Sequence, residues 1–406
     1  MKITVLVSHY PVPFKPYYDA QFSRFLEDGH DLTIFSAGSL DGVVNEKVTR
    51  WGLDRRTRNF PATLRDAPGT LPSLFRVFIT SPGRSLKNLL TGWGGGGKGW
   101  KGKLKHGLRA AVVGEQEPDF CLVHGLGTAV MFPWLREVFP GVPIALYYHG
   151  GEVPTVGPLD DQAASSAFLI ADAVFTNTRF SRDHAVKRGC PPERIHVMPV
   201  GFDLRDFQPP ESREYRKGGT LRLLSAGRMS EEKGFIYALQ ALRHLVHERG
   251  ITDLEYRLTG EGYVREELER YIEDNDLGDY VSFLGTISTE ALIQEQAETD
   301  VLLLPSIQVG NWVENQACAV QETMLMKGVV IVSRTGGVPE SVAPEMRRFI
   351  TEEKDWRGLA KSIEKVYRMS EAELAELGER GREFVRENYD MAALNRQLIR
   401  TTLDAE

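Results

Sequence analysis

One stretch of the chain, residues 300–341, constrains the fold more than any other. It contains a short apolar run at 301–304, a polar loop, a segment of helical character that ends at Lys327-Gly328, and a second β-branched run at 329–332. Short apolar runs are typical of strands buried in a parallel sheet, and Gly is a common stop signal for a helix. The stretch therefore predicts a strand–helix–strand unit, whose ligands bind at the carboxyl ends of the strands.

Two glutamates of this stretch, Glu314 and Glu322, are separated by seven residues. On one continuous helix their side chains would lie about 80° apart around the axis and about 12 Å apart along it. That separation suits the distance from hexose to ribose in a nucleotide sugar, because one carboxylate accepts hydrogen bonds from two neighbouring hydroxyls. A helix start between them would offer N–H groups and a positive dipole end to a diphosphate. The competing interpretation is that both are solvated helix charges.

Two cations, Arg228 and Lys233, follow the predicted strand 221–226 and lie at the start of the next predicted helix. Together with that helix N-terminus they suit a nucleotide diphosphate, whose negative charge grows as a glycosidic bond breaks. Groups that act where this charge develops should affect turnover more than substrate affinity. The alternative is a solvated arginine and lysine with no ligand.

Three motifs in a consistent order resemble those of retaining glycosyltransferase family 4. They are GRMSEEKGF at 227–235, E-x7-E after a strand that ends in Pro-Ser, and TGGVPE at 335–340. The resemblance covers residues 195–385 well. It implies the GT-B fold, an α/β fold of two Rossmann-like, doubly wound parallel-sheet domains that face across a cleft. It also implies transfer of a hexosyl group, with retention, from a UDP- or GDP-type sugar to a hydroxyl of a glycan, glycolipid or polyprenyl-linked acceptor.

The resemblance assigns roles to individual residues. It implies that Glu314 holds hexose hydroxyls and that Glu322 holds the ribose. Arg228 and Lys233 are expected to bind the diphosphate. The reaction is expected to be a front-face substitution in which the leaving phosphate assists deprotonation of the acceptor. Further contacts with the nucleotide sugar are expected from the glycine of the GR motif, from the residues after Glu314 and from two later turns: Gly227, Asn315, Gln316, Ala317, Gly260, Glu261, Leu284, Gly285 and Thr286.

The chain departs from the family pattern beside the first glutamate. Family members often read E-G-F-G there, whereas this chain reads Glu314-Asn315-Gln316-Ala317. The two side-chain amides put the hexose preference in doubt. Trp312-Val313 before Glu314 resembles members that build exopolysaccharides on lipid carriers.

The first half of the chain shows the same alternation of strands and helices. The predicted strand 142–148 ends at Tyr148-His149-Gly150-Gly151, which places His149 where it could hydrogen-bond a sugar hydroxyl or phosphate. The resemblance implies the same role, and a structural histidine is the alternative. In the loop 8–18, Lys15, Tyr17 and Tyr18 either contact the acceptor or belong to a stiff loop that plugs the cleft.

The length of 406 residues favours two domains. The expected division is an acceptor-binding domain at 1–203, a donor-binding domain at 204–385, and a terminal helix at 386–406 that crosses back in the resembling fold.

A basic segment at 84–109 has no counterpart in the motifs above. No acidic residue occurs from 67 to 114, and seven cations surround GWGGGGKGW, with Trp93 and Trp100 on either side of the glycines. Cations with interfacial aromatics indicate a surface that rests on anionic lipid headgroups. A flexible basic loop with no partner is the alternative, and single-stranded nucleic acid is a minor one.

Composition narrows the remaining choices. A net charge of −7 argues against a nucleic-acid partner, and three cysteines without metal spacing fit a reducing cytosol. No apolar run reaches the roughly 20 residues of a bilayer span, so we expect a cytoplasmic protein that is at most peripheral at the inner face of the cell membrane. No cofactor is expected beyond the nucleotide sugar as co-substrate. No metal is expected either, since Asp274-Asn275-Asp276 reads as a helix-end turn.

Two other functions compete with transfer. A GT-B nucleotide-sugar epimerase would need catalytic acids in the first domain, and none is evident there. A non-catalytic nucleotide-sugar-binding protein would bind the ligand without turnover, and loss of Arg228 would then weaken binding only.

Overall fold

The computed structural model describes residues 1–12, 15–40, 45–60, 75, 79, 82–95, 99–150, 161–211 and 213–405. Its contacts divide the chain into two compact units. Unit 1 comprises Met1–Phe202 together with Met391–Glu406, and unit 2 comprises Asp203–Asp390. The last helix, Met391–Leu403, belongs to unit 1, and it begins after the predicted bound at 386.

Unit 1 is built on a seven-stranded parallel sheet of order β3-β2-β1-β4-β5-β6-β7. The order reverses between β1 and β4. Every residue of β4 and β5 is buried, as expected for central strands covered on both faces. The strands are β1 Lys2–Leu6, β2 Asp31–Ser36, β3 Thr57–Asn59, β4 Phe120–His124, β5 Ile144–Tyr148, β6 Ala173–Thr176 and β7 Ile195–Val197.

Two apolar clusters form the core of unit 1. Leu398 and Ile399 of the last helix belong to one of them, and the Gln21 amide donates to Oδ1 of Asn395 at 3.1 Å. The final helix is thus part of this core. The helices of unit 1 are α1 Pro16–Glu27, α2 Glu46–Arg50, α3 Pro82–Gly95, α4 Gly99–Val113, α5 Leu126–Ala129, α6 Leu135–Val138, α7 Asp161–Leu169, α8 Arg179–Lys187 and, at the end of the chain, α15 Met391–Leu403.

Unit 2 repeats the plan with a six-stranded parallel sheet of order β10-β9-β8-β11-β12-β13. Its order reverses between β8 and β11. The strands are β8 Leu221–Ala226, β9 Leu254–Thr259, β10 Val281–Gly285, β11 Val301–Leu304, β12 Val329–Ser333 and β13 Ile350–Thr351. The helices are α9 Phe235–Arg243, α10 Arg265–Asp274, α11 Thr289–Glu298, α12 Cys318–Leu325, α13 Trp356–Tyr367 and α14 Glu371–Asn388.

The start of α9 shows how local sequence positions the loop after β8. Gly234 has φ +64°, and a Cβ there would lie 2.1 Å from the carbonyl oxygen of Pro305. Only glycine fits this close approach at a positive φ. Beyond it Phe235, Ala238 and Leu242 recur at helical spacing and are buried, so α9 is held against the sheet by its apolar face.

Two helix predictions in unit 1 are wrong. The pattern of the sequence predicts one helix at 128–139, and the structure instead has the two short helices α5 and α6, which flank Pro133, a residue that lacks the N–H needed inside a helix. The first helix begins at Pro16 rather than at Asp19, because proline is well tolerated in the first turn. Tyr17 and Tyr18 therefore lie on a helix and not in a loop.

Candidate active site

The candidate site of unit 2 lies where the strand order reverses between β8 and β11. The loop after β8 carries Lys233, and the loop after β11 carries Glu314. Nζ of Lys233 lies 2.5 Å from Oε2 of Glu314, and only 15% and 11% of the two side chains are exposed. Ligands of open α/β sheets bind outside the carboxyl ends of the strands at such a reversal. The ion pair thus joins two of the predicted residues at the expected edge.

Two neighbours in the loop after β11 support this ion pair. Oγ of Ser306 donates to Oε2 of Glu314 at 3.4 Å. Nζ of Lys233 lies 5.5 Å from the centre of the Trp312 ring, within the range of a cation–π contact. The ammonium group is therefore held by a carboxylate and an aromatic face together.

Arg228 has a different environment from Lys233. Its side chain is 70% exposed, and its guanidinium lies 3.4 Å from Oε1 of Glu232. An exposed contact of this kind contributes little to folding. The guanidinium can therefore turn toward an anionic ligand at small cost in stability.

The TGG segment of 335–337 packs directly beneath Glu314. The N–H of Gly337 donates to the carbonyl oxygen of Glu314 at 3.1 Å. Gly336 has φ +48°, and a Cβ there would lie 1.9 Å from the same oxygen. Two of the motifs found in the sequence are thus parts of one contact, in which Gly336 lets the second loop approach the backbone that carries the carboxylate.

The helix that carries Glu322 begins later than a continuous E-x7-E helix requires. Because α12 starts at Cys318 with Ala317 as its N-cap, Glu314 lies in irregular backbone before it. The geometry of both glutamates on one helix is therefore wrong, whereas a helix start between them is confirmed. No side chain caps α12, and the N–H groups of a first turn have no partner within the helix. Asn315 and Ala317 are buried beside this start, and Gln316 is half-buried.

Glu322 is buried within unit 2. Its Oε2 accepts a hydrogen bond of 2.9 Å from the amide of Gln296, a fully buried residue of α11. Burial raises the pKa of the Glu322 carboxyl, and the Gln296 hydrogen bond opposes that rise. The structure thus places a desolvated carboxyl, held in a fixed orientation, one turn into α12.

Three glycine turns lie side by side at the same edge of the sheet. The N–H of Gly227 donates to the carbonyl oxygen of Thr259 at 3.1 Å, and the N–H of Gly260 donates to that of Gly285 at 2.8 Å. A Cβ on Gly260 would lie 2.0 Å from the carbonyl oxygen of Gly227. The predicted segments at the carboxyl ends of β8, β9 and β10 are therefore adjacent. A bulky residue at Gly260 would push the backbone of Gly260 away from that of Gly227.

The other residues predicted on these turns are more accessible. Glu261 is exposed and forms an ion pair with Arg265. Leu284 is half-buried and Thr286 is exposed. A contact between these residues and a nucleoside base stays a prediction.

His149 lies in unit 1, just beyond the end of β5, and stacks on His124, the last residue of β4. The two rings are 2° from parallel with centroids 5.3 Å apart, and Nδ1 of His124 lies 3.1 Å from Nε2 of His149. Burial, assisted by the positive charge of Lys15, lowers the pKa of His149 to about 3. The imidazole is thus neutral near pH 7 and suited to a hydrogen bond rather than to charge pairing.

Tyr17 belongs to the same aromatic cluster. Its ring centroid lies 5.5 Å from that of His149 and 4.8 Å from that of Tyr18. Tyr17 is half-buried, and Nζ of Lys15 lies 5.1 Å from the centre of the Tyr18 ring. The structure brings His149 and the aromatic residues of α1 together; acceptor binding by Tyr17 stays a prediction.

Sequence reasoning assigned no contact in these sites to four residues, of which Trp312 was noted only for its resemblance to exopolysaccharide-building members. Ser306 and Trp312 lie in the loop between β11 and Glu314, and His124 is the last residue of β4. Strand ends that meet at one edge of a sheet could have indicated them. Gln296 had no such signal, since nothing local relates a glutamine of α11 to a carboxylate of α12.

The segment Asp274-Asn275-Asp276 lies at the end of a helix, as the sequence predicts. Asp274 is the last residue of α10, Asn275 caps it, and Asp276 has φ +51°. The described residues contain no group of three or more His, Cys, Asp and Glu side chains arranged to hold a metal ion. None of the helices in the described part of the chain has both the length and the apolar character of a bilayer span.

Solved structures share this two-sheet architecture. HepE from Anabaena in complex with UDP superposes with a TM-score of 0.71 at 17% identity, over 100% of both chains. Sucrose-phosphate synthase from Thermosynechococcus elongatus gives a TM-score of 0.69 at 17% identity, again over 100% of both chains. At this identity the similarity shows the fold, which confirms two Rossmann-like domains.

Sequence comparisons identify the family. The Glycosyl transferase 4-like domain matches residues 19–201, and the Glycosyl transferases group 1 family matches residues 208–384. WcaL of Escherichia coli (strain K12), which is named as a glycosyltransferase of colanic acid biosynthesis, is 25% identical over 98% of both chains. The amylovoran biosynthesis glycosyltransferase AmsK of Erwinia amylovora is 26% identical over 89% of both chains. The chain therefore belongs to glycosyltransferase family 4, with the GT-B fold.

Proposed function

We propose that the protein moves a hexosyl group, with retention of anomeric configuration, from a nucleotide diphosphate sugar to a hydroxyl of a glycan or lipid-linked acceptor in exopolysaccharide synthesis. The observation that supports this most is the contact between Lys233 and Glu314 at the strand reversal of unit 2. The names of AmsK and WcaL support the product class, since they refer to the biosynthesis of amylovoran and of colanic acid.

The proposed chemistry follows from the charges at this edge. As the glycosidic bond breaks, negative charge grows on the leaving diphosphate. Lys233, released from Glu314 by the donor, and the exposed Arg228 neutralise it from the same loop. The uncapped start of α12 adds N–H donors to the phosphates. We propose that these groups carry the charge without a metal ion, and an assay with and without EDTA tests that part.

The carboxylate of Glu314, once released from Lys233, then binds the sugar. An ionised carboxylate accepts hydrogen bonds from two neighbouring hydroxyls, which suits a hexose. Glu322 binds the ribose in the same way. In unit 1 the neutral His149 hydrogen-bonds a sugar hydroxyl or phosphate. The acceptor hydroxyl attacks on the face from which the diphosphate leaves, and its proton passes to that phosphate.

Two nucleotide classes are candidates for the donor. HepE, which has the same fold, binds UDP and UDP-glucose. A relative of Mycobacterium tuberculosis that is 24% identical over 53% of this chain is named as GDP-mannose-dependent. Asn315 and Gln316 add amides beside Glu314, and we propose that they help to select the hexose.

A thermal-shift screen against UDP-, GDP- and ADP-sugars tests the proposal first. We expect one nucleotide to raise the melting temperature, and the same sugar donor to be hydrolysed slowly without acceptor. The anomeric configuration of the transferred sugar, read by proton NMR, then decides between retention and inversion. Binding with no hydrolysis and no transfer to any polyprenyl-linked or oligosaccharide acceptor would contradict transfer and favour a binding protein.

The variant Arg228→Ala further distinguishes a transferase from a non-catalytic binding protein. Since the guanidinium is exposed, the variant should keep the melting temperature of the parent. We expect turnover to fall more than donor affinity, because the lost charge acts mainly on the leaving group. A variant that loses affinity while its turnover at saturation is unchanged would contradict the assigned role.

A further inference from the structure

The described residues of the basic segment form two helices that pack as a hairpin rather than a loop. α3 and α4, at Pro82–Gly95 and Gly99–Val113, lie on either side of residues 96–98, which fall outside the described residues. The sequence-based alternative of a flexible basic loop is therefore wrong for these two segments. The charged and aromatic residues in the described part of the hairpin therefore have fixed positions on helices.

Glycines bring the two helices of the hairpin into close contact. A Cβ on Gly92 would lie 2.4 Å from the carbonyl oxygen of His106, and one on Gly107 would lie 2.8 Å from that of Leu89. The Asn88 amide also donates to the carbonyl oxygen of Gly114 at 3.1 Å. These contacts run antiparallel and fix which face of α3 points outward.

The outward face of α3 is apolar. Leu86, Leu90 and Trp93 are 54%, 59% and 37% exposed. Their spacing of four and three residues places them within about 60° on one side of the helix. At the start of α4, Trp100 is 62% exposed. Two leucines and two tryptophans are thus exposed on two neighbouring helices, and exposed apolar side chains grouped in this way mark interaction sites.

Lysines flank this apolar surface, and no acidic residue of the segment balances them. Lys87, Lys101 and Lys103 are exposed, and Nζ of Lys101 lies 5.7 Å from the centre of the Trp100 ring. No Asp or Glu occurs between 67 and 114. Two of the seven cations in this segment are engaged elsewhere, since Arg84 pairs with Glu117 and Arg109 is buried. The lysines therefore give the surface a net positive charge within a chain whose net charge is −7.

We propose that this hairpin surface, formed by Leu86, Leu90, Trp93 and Trp100 with the flanking lysines, docks the protein on an anionic lipid bilayer. The apolar side chains enter the headgroup and upper acyl region, the tryptophans lie at the interface, and the lysines pair with lipid phosphates. Lipid accounts for both parts of the surface, whereas single-stranded nucleic acid would account for the lysines and tryptophans but not for the exposed leucines.

Co-sedimentation with lipid vesicles tests the charge component. The full chain should bind vesicles of equimolar phosphatidylcholine and phosphatidylglycerol, bind phosphatidylcholine alone much more weakly, and dissociate at high sodium chloride. Each basic residue near an anionic surface contributes roughly fivefold in affinity. The variant Lys87→Gln/Lys101→Gln/Lys103→Gln should therefore bind about 100-fold more weakly.

A matched variant distinguishes the hairpin from general electrostatics. Lys2→Gln/Arg182→Gln/Lys187→Gln removes the same charge from exposed positions of unit 1 outside the hairpin. We expect it to bind like the parent. Equal losses in the two triple variants, or binding that ignores both salt and anionic lipid, would overturn the proposal, as would preferential binding of single-stranded nucleic acid by the same lysines. Thermal unfolding of all variants in buffer shows whether the fold is intact.

Tryptophan quenching by phosphatidylcholine with brominated acyl chains, mixed with phosphatidylglycerol, tests the apolar component. Trp93 and Trp100 should be quenched on binding, whereas Trp134 is fully buried in unit 1 and should not be. The variant Trp93→Phe/Trp100→Phe should lose the quenching and keep most of its binding. Quenching that persists in this variant would place another part of the chain on the lipid. Leu86→Gln/Leu90→Gln should weaken binding at least tenfold without changing the melting temperature, since both leucines are exposed.

Discussion

The ammonium nitrogen of Lys233 lies 2.5 Å from a carboxylate oxygen of Glu314, although the two residues are 81 positions apart in the chain. Parallel strands whose order reverses bring the loops after β8 and β11 together, and this makes the contact possible. The pair satisfies two largely buried charges. A nucleotide sugar would replace it, with phosphate oxygens for the lysine and hydroxyls for the carboxylate.

The first prediction concerns turnover of Lys233→Ala. Loss of one charged donor at the leaving group should lower kcat about 10²- to 10³-fold. The effect on KM should be smaller, because the interaction strengthens as charge develops. Steady-state kinetics with saturating donor measures both values. Lys361→Ala, which removes an exposed lysine of α13, serves as the control and should be unchanged. Equal kcat in the parent and Lys233→Ala would contradict the assignment.

A second prediction separates function from stability at Glu322. Because the folded state raises the pKa of this buried carboxyl, its charged form lowers stability near neutral pH, and that penalty disappears as the pH falls. Glu322→Gln should therefore be at least as stable as the parent at neutral pH. Hydrogen bonds to a charged group contribute about 1.5 to 3 kcal/mol, so nucleotide affinity should fall about 10- to 100-fold.

Calorimetric titration and thermal unfolding check this pair of effects at Glu322. A variant that binds the nucleotide normally but melts at a lower temperature would show that Glu322 is structural. Acidification should weaken nucleotide binding by the parent, since the protonated carboxyl accepts fewer hydrogen bonds. Glu322→Gln should show less of this pH dependence.

The third prediction concerns Gly336, a residue that is not expected to contact the nucleotide sugar. Gly336→Ala introduces a methyl group 1.9 Å from the carbonyl oxygen of Glu314 at φ +48°. The loop must move, and kcat/KM should fall at least tenfold as Glu314 is displaced. Gly310→Ala is the matched control, because Gly310 also has a positive φ, +57°, and a Cβ there meets nothing within 4 Å. It should lose about 1 kcal/mol of stability from backbone strain and keep its activity. Similar activity losses in both would mean that strain alone is responsible.

The fourth prediction is a pH dependence of the stability of unit 1. Nε1 of Trp134 donates to Nδ1 of His106 at 3.2 Å, which requires a neutral imidazole. Burial, then the charges of Arg109 and Lys105, lower the pKa of His106 to about 4 from 6.5. The unfolded chain therefore takes up the proton first. The stabilisation is fully present above pH 6.5 and is lost as the pH falls toward 4, by up to about 1.4 kcal/mol per pH unit.

Urea unfolding at several pH values, followed by tryptophan fluorescence, measures this slope. His106→Gln keeps an acceptor for Trp134 but binds no proton in this range. Its free energy of unfolding should fall less steeply with acidification than that of the parent. Parallel slopes for the two proteins would show that His106 titrates normally in the folded state.

The sequence predicts the strands of unit 2 better than its helix starts. The predicted strand 221–226 and the apolar run 301–304 coincide with β8 and β11, and the run 329–332 lies within β12, because apolar runs between polar loops mark buried strands directly. The edge strands β3 and β13 have three and two residues and carry no such run. A continuous helix from Glu314 to Glu322 was compatible with the sequence, because the residues from Glu314 to Ala317 are tolerated in helices. In the structure the 335–337 turn packs against Glu314, which lies in irregular backbone before α12.

The site residues themselves were predicted better than the contacts between them. The motifs named Lys233, Glu314 and Gly336, but their mutual contacts depend on the order of strands in the sheet, which no local pattern encodes. The hydrogen bond from Gln296 to Glu322 joins two helices and was not predictable from either one. The stacking of His124 on His149 likewise required knowledge that β4 and β5 are neighbours.

A crystal structure with the nucleotide sugar that gives the largest thermal shift tests the central claim most directly. We predict the diphosphate between Lys233 and the start of α12, with a phosphate oxygen within about 3 Å of Nζ and the Lys233–Glu314 pair broken. Glu314 should then contact hexose hydroxyls, and Glu322 the ribose. A nucleotide bound elsewhere, with the ion pair of 2.5 Å still intact, would contradict this account.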